Sequence, residues 1–187
     1  LFFKTNTIMR YFIFSIITLF LISCGDNNEV QKKRMTVTTN SDEARALFYE
    51  AIDTHSGLNW QKAEDLLKSA LAKDPDFITA RFLLNSPFVN NVDRKILNDI
   101  YNNQLDNVSE MEATYMKAWY LRVNGERKES NETFKELTSK YSDIPIFWLH
   151  SGILKSGGGD INDAISDLEK CLEVNPNSYG ANAYLMA

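Results

Sequence analysis

The sequence predicts an all-α chain built as an array of similar helix pairs, and three observations predict it. Ala51, Ala63, Leu67, Ala70 and Pro75 are separated by gaps of 12, 4, 3 and 5 residues, and the same gaps separate Gly152, Ala164, Leu168, Cys171 and Pro176. A third set falls between them: Ala118, Ser130, Phe134, Leu137 and Ser142. Ala118 and Gly152 are 34 residues apart, and Ala51 and Ala118 are 67 apart, one short of two such periods. A period of that length marks a repeat architecture, in which each unit rests on its neighbours. The composition, 44% hydrophobic and 24% charged with few Gly and Pro, is that of a folded protein.

The array is expected to begin near residue 41, because the first part of the chain reads as a targeting segment. Lys4 and Arg10 precede residues 11–22, a run of 12 with no charge. A bilayer-spanning helix needs ~20 residues, so this run fits the apolar core of a secretory signal peptide better. It closes on Leu21-Ile22-Ser23-Cys24, followed by Gly25 and Asp26. This resembles the lipobox of bacterial lipoproteins. The resemblance implies cleavage after residue 23 and a diacylated Cys24 thiol. It also implies a lipid anchor in a membrane of the bacterial cell envelope, at the outer membrane or the periplasmic face. The other reading is an uncleaved anchor helix from near Phe2, which leaves Cys24 without a role. Leu1 is an unusual first residue, and a start at Met9 makes a tidier signal peptide.

Without residues 1–23 the chain keeps 18 basic and 25 acidic residues, a net charge of −7. That argues against a nucleic-acid partner, whose phosphates require a basic face, and none is expected. Residues 24–40 are polar without apolar periodicity, and are expected to be a flexible linker between lipid and domain. They hold the one basic cluster, Lys32-Lys33-Arg34, read as solvated or headgroup-contacting. With Cys24 lipidated, no intramolecular disulfide is expected. It stands where the sister repeats carry Ala70 and Leu137, which suits a small buried hydrophobe.

The first helix opens at Ser41 or Asp42, either of which can cap it. Ala44, Leu47, Phe48, Ala51 and Ile52 form its apolar face, and Gly57 breaks it. A second helix is expected over 60–73, ended by Asp74-Pro75, because proline disfavours helical geometry in the residue before it. The pair recurs as 111–123 and 127–141 around an Asn124-Gly125 turn, and as 146–155 and 161–174 around Gly157-Gly158-Gly159. Small residues recur on the facing sides: Ala51, Ala118 and Gly152 on the first helices, Ala63, Ser130 and Ala164 on the second. Close helix approach needs small contact residues.

These residues resemble the tetratricopeptide repeat, a 34-residue helix–turn–helix with the pattern W-x2-L-G…A-x3-F…P. The last unit carries it best, in Trp148, Gly152, Ala164, Leu168 and Pro176. The first has Leu47 for the tryptophan and Ala51 for the glycine. The third has Thr114 and Ala118, and Ser142 instead of the proline. The resemblance covers about residues 44–178 and implies a right-handed α-solenoid over 41–187, with repeats at about 44–77, 78–110, 111–144 and 145–178. The 78–110 unit is degenerate: Ser86-Pro87 stops its first helix early, and Val92, Ile96, Leu97 and Ile100 mark a second. Residues 177–187 look like the first helix of a further unit, either a cap or the start of a continuation.

No catalytic or cofactor motif emerges. His55 and His150 have no Cys or His at metal-ligand spacing. Gly157-Gly158-Gly159-Asp160 lacks the Lys-Ser/Thr of a phosphate loop and reads as a turn. The resemblance implies that the first helices of the pairs line a concave groove. Its lining is expected from Phe48, Ile52, His55, Tyr115, Trp119, Arg122, Leu149 and Ile153, unless neighbouring repeats cover these as core. Trp, Tyr and Arg are common interface anchors. Phe48, Ile52, Tyr115 and Trp119 stand where some family members carry a Lys/Asn carboxylate clamp, so an apolar helix or extended segment suits the groove better.

The expected function is therefore a non-catalytic scaffold, a membrane-anchored tetratricopeptide lipoprotein that recruits a protein or peptide partner. Two alternatives stand beside it. One is the N-terminal recruitment region of a longer enzyme or signalling protein, and the other is a small-molecule-binding lipoprotein.

Overall fold

The computed structural model describes residues 33–187; the expected signal peptide and Cys24 lie outside them. Among the described residues every regular element is helical. In chain order these are α1 (Asp42–Ser56), α2 (Trp60–Lys73), α3 (Ile78–Leu84), α4 (Arg94–Asn103), α5 (Glu110–Val123), α6 (Arg127–Lys140), α7 (Pro145–Ser156), α8 (Ile161–Val174) and α9 (Tyr179–Met186). Single 3-10 turns occupy Pro87–Val89 and Leu105–Asn107. No helix among them is long and apolar enough to cross a membrane.

Local chemistry sets the helix starts. Ser41 accepts from the Ala44 amide at 3.1 Å and opens α1. Asn59 does the same for α2, through the Lys62 amide at 3.2 Å. Asp93 takes two amides at the start of α4, and Ser109 with Glu112 closes a reciprocal capping box on α5. Each satisfies donors that a helix N-terminus otherwise leaves open. Pro145 stands in the first turn of α7, where its missing N–H is no loss.

Helices α1/α2, α5/α6 and α7/α8 are tightly packed antiparallel pairs, giving a repeat-like architecture. The small residues lie in their seams. Ala51, Ala63, Ala118 and Ser130 are fully buried, and the Ser130 hydroxyl donates to the Ala118 carbonyl across the pair at 2.8 Å. At Gly152 the backbones approach so closely that an added Cβ would sit 2.7 Å from Leu168 Cγ. The α7/α8 seam also holds a polar trio, in which the Ser151 hydroxyl and the Lys155 ammonium both donate to Asp167 Oδ2, at 2.5 and 2.6 Å. Cys171 is buried against the Pro145 carbonyl, in the small hydrophobic position expected of it.

The turns inside the three pairs share one feature. Two residues before each second helix the backbone is left-handed, at Leu58 (φ 62°), Gly125 (φ 85°) and Gly159 (φ 92°). Glycine takes that conformation freely, whereas a leucine Cβ crowds the backbone there.

The second unit departs from the others. Ser86-Pro87 stops α3 after seven residues, as its sequence predicts. Val92 does not join the following helix: it precedes α4 and is exposed. Tyr101 stacks on Tyr120 at 3.9 Å, holding α4 to α5.

The expectation of a flexible linker as far as residue 40 is corrected over 33–40. These residues form an extended strap packed on the helices. Met35 is buried, and its carbonyl accepts from the Tyr49 hydroxyl at 3.0 Å. Arg34 pairs with Asp53 at 2.7 Å, and Lys33 with Asp143. The anchor is Glu112, whose fully buried carboxylate accepts from the Thr38 amide (2.9 Å), Thr38 hydroxyl (2.6 Å), Thr79 hydroxyl (2.6 Å) and Ser109 amide and hydroxyl (3.1 and 2.8 Å). Strap, α3 and α5 thus meet at one acceptor. The polar composition of 33–40 conceals this because the strap is held mainly by hydrogen bonds.

Candidate functional site

The first helices of the pairs bring α1 and α7 together although they lie far apart in sequence. The His55 and His150 rings meet edge to face with centroids 5.3 Å apart. Phe88, from the 3-10 turn after α3, stacks on His55 at 3.7 Å and also touches His150. Trp119 of α5 meets His150 at 5.2 Å and an angle of 77°. Helix α9 returns to α1: an added Cβ on Gly180 would lie 2.6 Å from the Ser56 carbonyl oxygen.

This convergence corrects the open-groove expectation. Phe48, Ile52 and Tyr115 are core residues, with Phe48 packed on Phe77 at 5.0 Å and Tyr115 on Phe147 at 5.6 Å. His55, Trp119 and Leu149 are buried as well. Only Arg122 and Ile153 of the expected set are half-exposed. Large aromatic side chains on facing inner helices fill the space that a groove would occupy.

A narrower site remains. A cleft of about 270 Å³ opens among α1, α7 and α9, and His55, Trp119, Leu149 and Ile153 of the expected set line it. Leu58, Trp60, His150 and Tyr184 complete much of its wall. Arg122 stands apart from it: its Nη2 donates to the Leu154 carbonyl at 2.8 Å, closing the C-terminal end of α7. His150, Leu58 and Tyr184 were not among the expected lining residues. The two leucine and tyrosine positions carry no recognisable motif, and only the lone-histidine signal pointed toward His150.

The electrostatics of the cleft follow from burial. Burial brings His55 from its ordinary 6.5 down to about 4. His150, fully buried, lies well below its ordinary value, through desolvation first and His55 second. Both imidazoles are therefore neutral at pH 7. Tyr115 Oη lies 2.8 Å from His150 Nδ1, and burial raises the phenol, which keeps it protonated. His55 Nδ1 and His150 Nε2 are buried without hydrogen-bond partners.

No protein-family model, no curated protein and no solved structure matches this chain. The site must therefore be read from its own chemistry. Among the described residues no group of three or more His, Cys, Asp or Glu stands close enough to hold a metal ion. The cleft has apolar walls and no charged side chain in its lining.

Proposed function

We propose that this chain is a non-catalytic binding protein of the tetratricopeptide type, a right-handed α-solenoid anchored to a bacterial envelope membrane by lipid on Cys24. In this reading it serves as a scaffold for a protein partner. The observation that carries it is a coincidence of register. The left-handed turn residues Leu58, Gly125 and Gly159 are 67 and 34 residues apart. Those offsets also separate the small seam residues Ala51, Ala118 and Gly152. Backbone geometry and side-chain spacing thus repeat together, which supports three copies of one unit; such arrays usually present binding surfaces. With the inner face filled by aromatic side chains, the partner is received at its rim, where Trp60, Arg122 and Ile153 remain accessible.

Two measurements on the full chain in a bacterial host test this. Metabolic labelling with an alkynyl fatty acid should mark the wild type and leave Cys24→Ser unmarked. A photo-crosslinking residue at position 153 should trap a discrete envelope protein, and one at Lys128, exposed on α6, should not. Retained label in Cys24→Ser sinks the anchor, and equal trapping at both positions sinks the scaffold. The cleft favours a second reading, small-molecule binding.

A further inference from the structure

We propose that the surface track filled by residues 33–40 is a docking site for an extended segment of a partner protein, with the strap as its built-in competitor. This goes beyond the scaffold reading. The residues that hold the strap are none of the rim positions Trp60, Arg122 and Ile153, and the proposal does not depend on the lipid anchor.

The way the strap is held carries the inference. Four of its backbone groups bond to side chains of the helical array. The Met35 carbonyl accepts from the Tyr49 hydroxyl at 3.0 Å, and the Thr39 carbonyl accepts from Arg45 Nη2 at 2.8 Å. The Thr38 amide donates to Glu112 Oε1 at 2.9 Å, and the Asn40 amide donates to Asp74 Oδ2 at 3.3 Å. Main-chain contacts of this kind give affinity for an extended segment, and pockets for alternate side chains give specificity. The burial pattern agrees. Met35 is buried and Val37 and Thr39 are half-buried, whereas Thr36, Thr38 and Asn40 are exposed. That is the two-residue period of a strand laid on a surface.

The strap is also lightly held. Met35 is the one strap side chain sunk in the hydrophobic core. Lys33 and Arg34 pair with Asp143 and Asp53 where solvent reaches both partners, and such pairs contribute little. Another chain can replace these contacts one for one.

The same contacts define the partner. Its segment carries Lys or Arg for Asp53 and Asp143, then an unbranched apolar side chain for the Met35 pocket, then Ser or Thr three residues further on. The last position faces Glu112, which takes both the amide and the hydroxyl of Thr38. Glu112 is fully buried, and a carboxylate only accepts, so an acidic residue or proline at that position is rejected. The strap competes as part of the same chain, at an effective concentration of ~1 mM, so a partner gains the track only as the strap gives it up.

The probe is a fluorescein-labelled peptide, Lys-Arg-Met-Thr-Val-Thr-Thr-Asn, the sequence of residues 33–40. Its anisotropy is followed with the full chain in detergent micelles. Thr38→Pro removes both strap donors to Glu112 at an exposed position, and Met35→Ser withdraws the buried anchor. Circular dichroism checks that each variant keeps its helices. Both should bind the probe saturably and about tenfold or more tightly than the wild type, as expected when the competitor loses a charged hydrogen bond or its apolar anchor. Adding Glu112→Gln to Thr38→Pro should weaken the probe about tenfold, and a probe with serine in place of methionine should not bind. Wild-type copies carrying two different tags should not co-precipitate. The proposal is overturned by no saturable binding to either folded variant, by equal binding to wild type and variants, or by full binding of the serine probe. Co-precipitation of tagged copies that Thr38→Pro abolishes overturns it as well, because the occupant is then a second copy of this chain. None of these results bears on the labelling of Cys24 or on trapping at position 153, and failure of either leaves this proposal standing.

Discussion

Acidification should destabilise this fold through its two buried histidines, and His55 allows the size to be worked out. Its folded value is about 4 against an ordinary 6.5. The folded state thus disfavours the charged imidazole, and the unfolded chain takes up the proton first. Stability from this group is fully present above pH 6.5 and is lost as the pH falls toward 4. At about 1.36 kcal/mol per pH unit, the loss between pH 7 and pH 5 is about 2 kcal/mol from His55 alone. His150 acts in the same direction, and a charge on either ring opposes a charge on the other. The assay is urea denaturation at pH 7 and pH 5, followed by circular dichroism, on the wild type and His55→Phe. Phenylalanine keeps the stack on Phe88 and cannot titrate. The variant should lose about 2 kcal/mol less than the wild type over that interval. Carboxylates that titrate near pH 5 contribute to both proteins and cancel in the difference. Equal losses in the two proteins would refute the assignment of a neutral, buried His55.

Two further outcomes follow from packing and polar contacts. Gly152→Ala should lower stability by about 1–3 kcal/mol, because its Cβ overlaps Leu168 and the seam must open; thermal unfolding measures this, and an unchanged melting temperature would contradict the close approach of α7 and α8. Glu112→Ala should release the strap, since it removes the acceptor shared by Thr38, Thr79 and Ser109 and strands the buried Thr79 hydroxyl at about 1–3 kcal/mol. Limited trypsin digestion at Lys33 and Arg34 should accelerate in the variant, and unchanged cleavage would show that Glu112 does not hold the strap.

Much of the helical layout was legible because its causes are local. The limits of α2 and α8 follow from an apolar period closed by Asp74-Pro75 and Asn175-Pro176. Ser41 and Asp42 announced α1, and the small residues at 51, 63, 118, 130, 152 and 164 announced the seams. Half of the expected groove residues do gather at the cleft. The others went to the core or the rim because helical spacing identifies an apolar face without saying what covers it.

The sequence by itself determined which segments become helices, where they stop and which faces pair, because hydrogen bonds and packing within one pair act over a few tens of residues. Only the tertiary structure decided how the pairs close on one another. His55 and His150 are 95 residues apart, and Thr38 and Glu112 are 74 apart. No periodicity links such positions; they meet because Phe88, Tyr115 and Trp119 fill the inner face and draw α1, α5 and α7 together. The strap, the filled inner face and the cleft all follow from that closure.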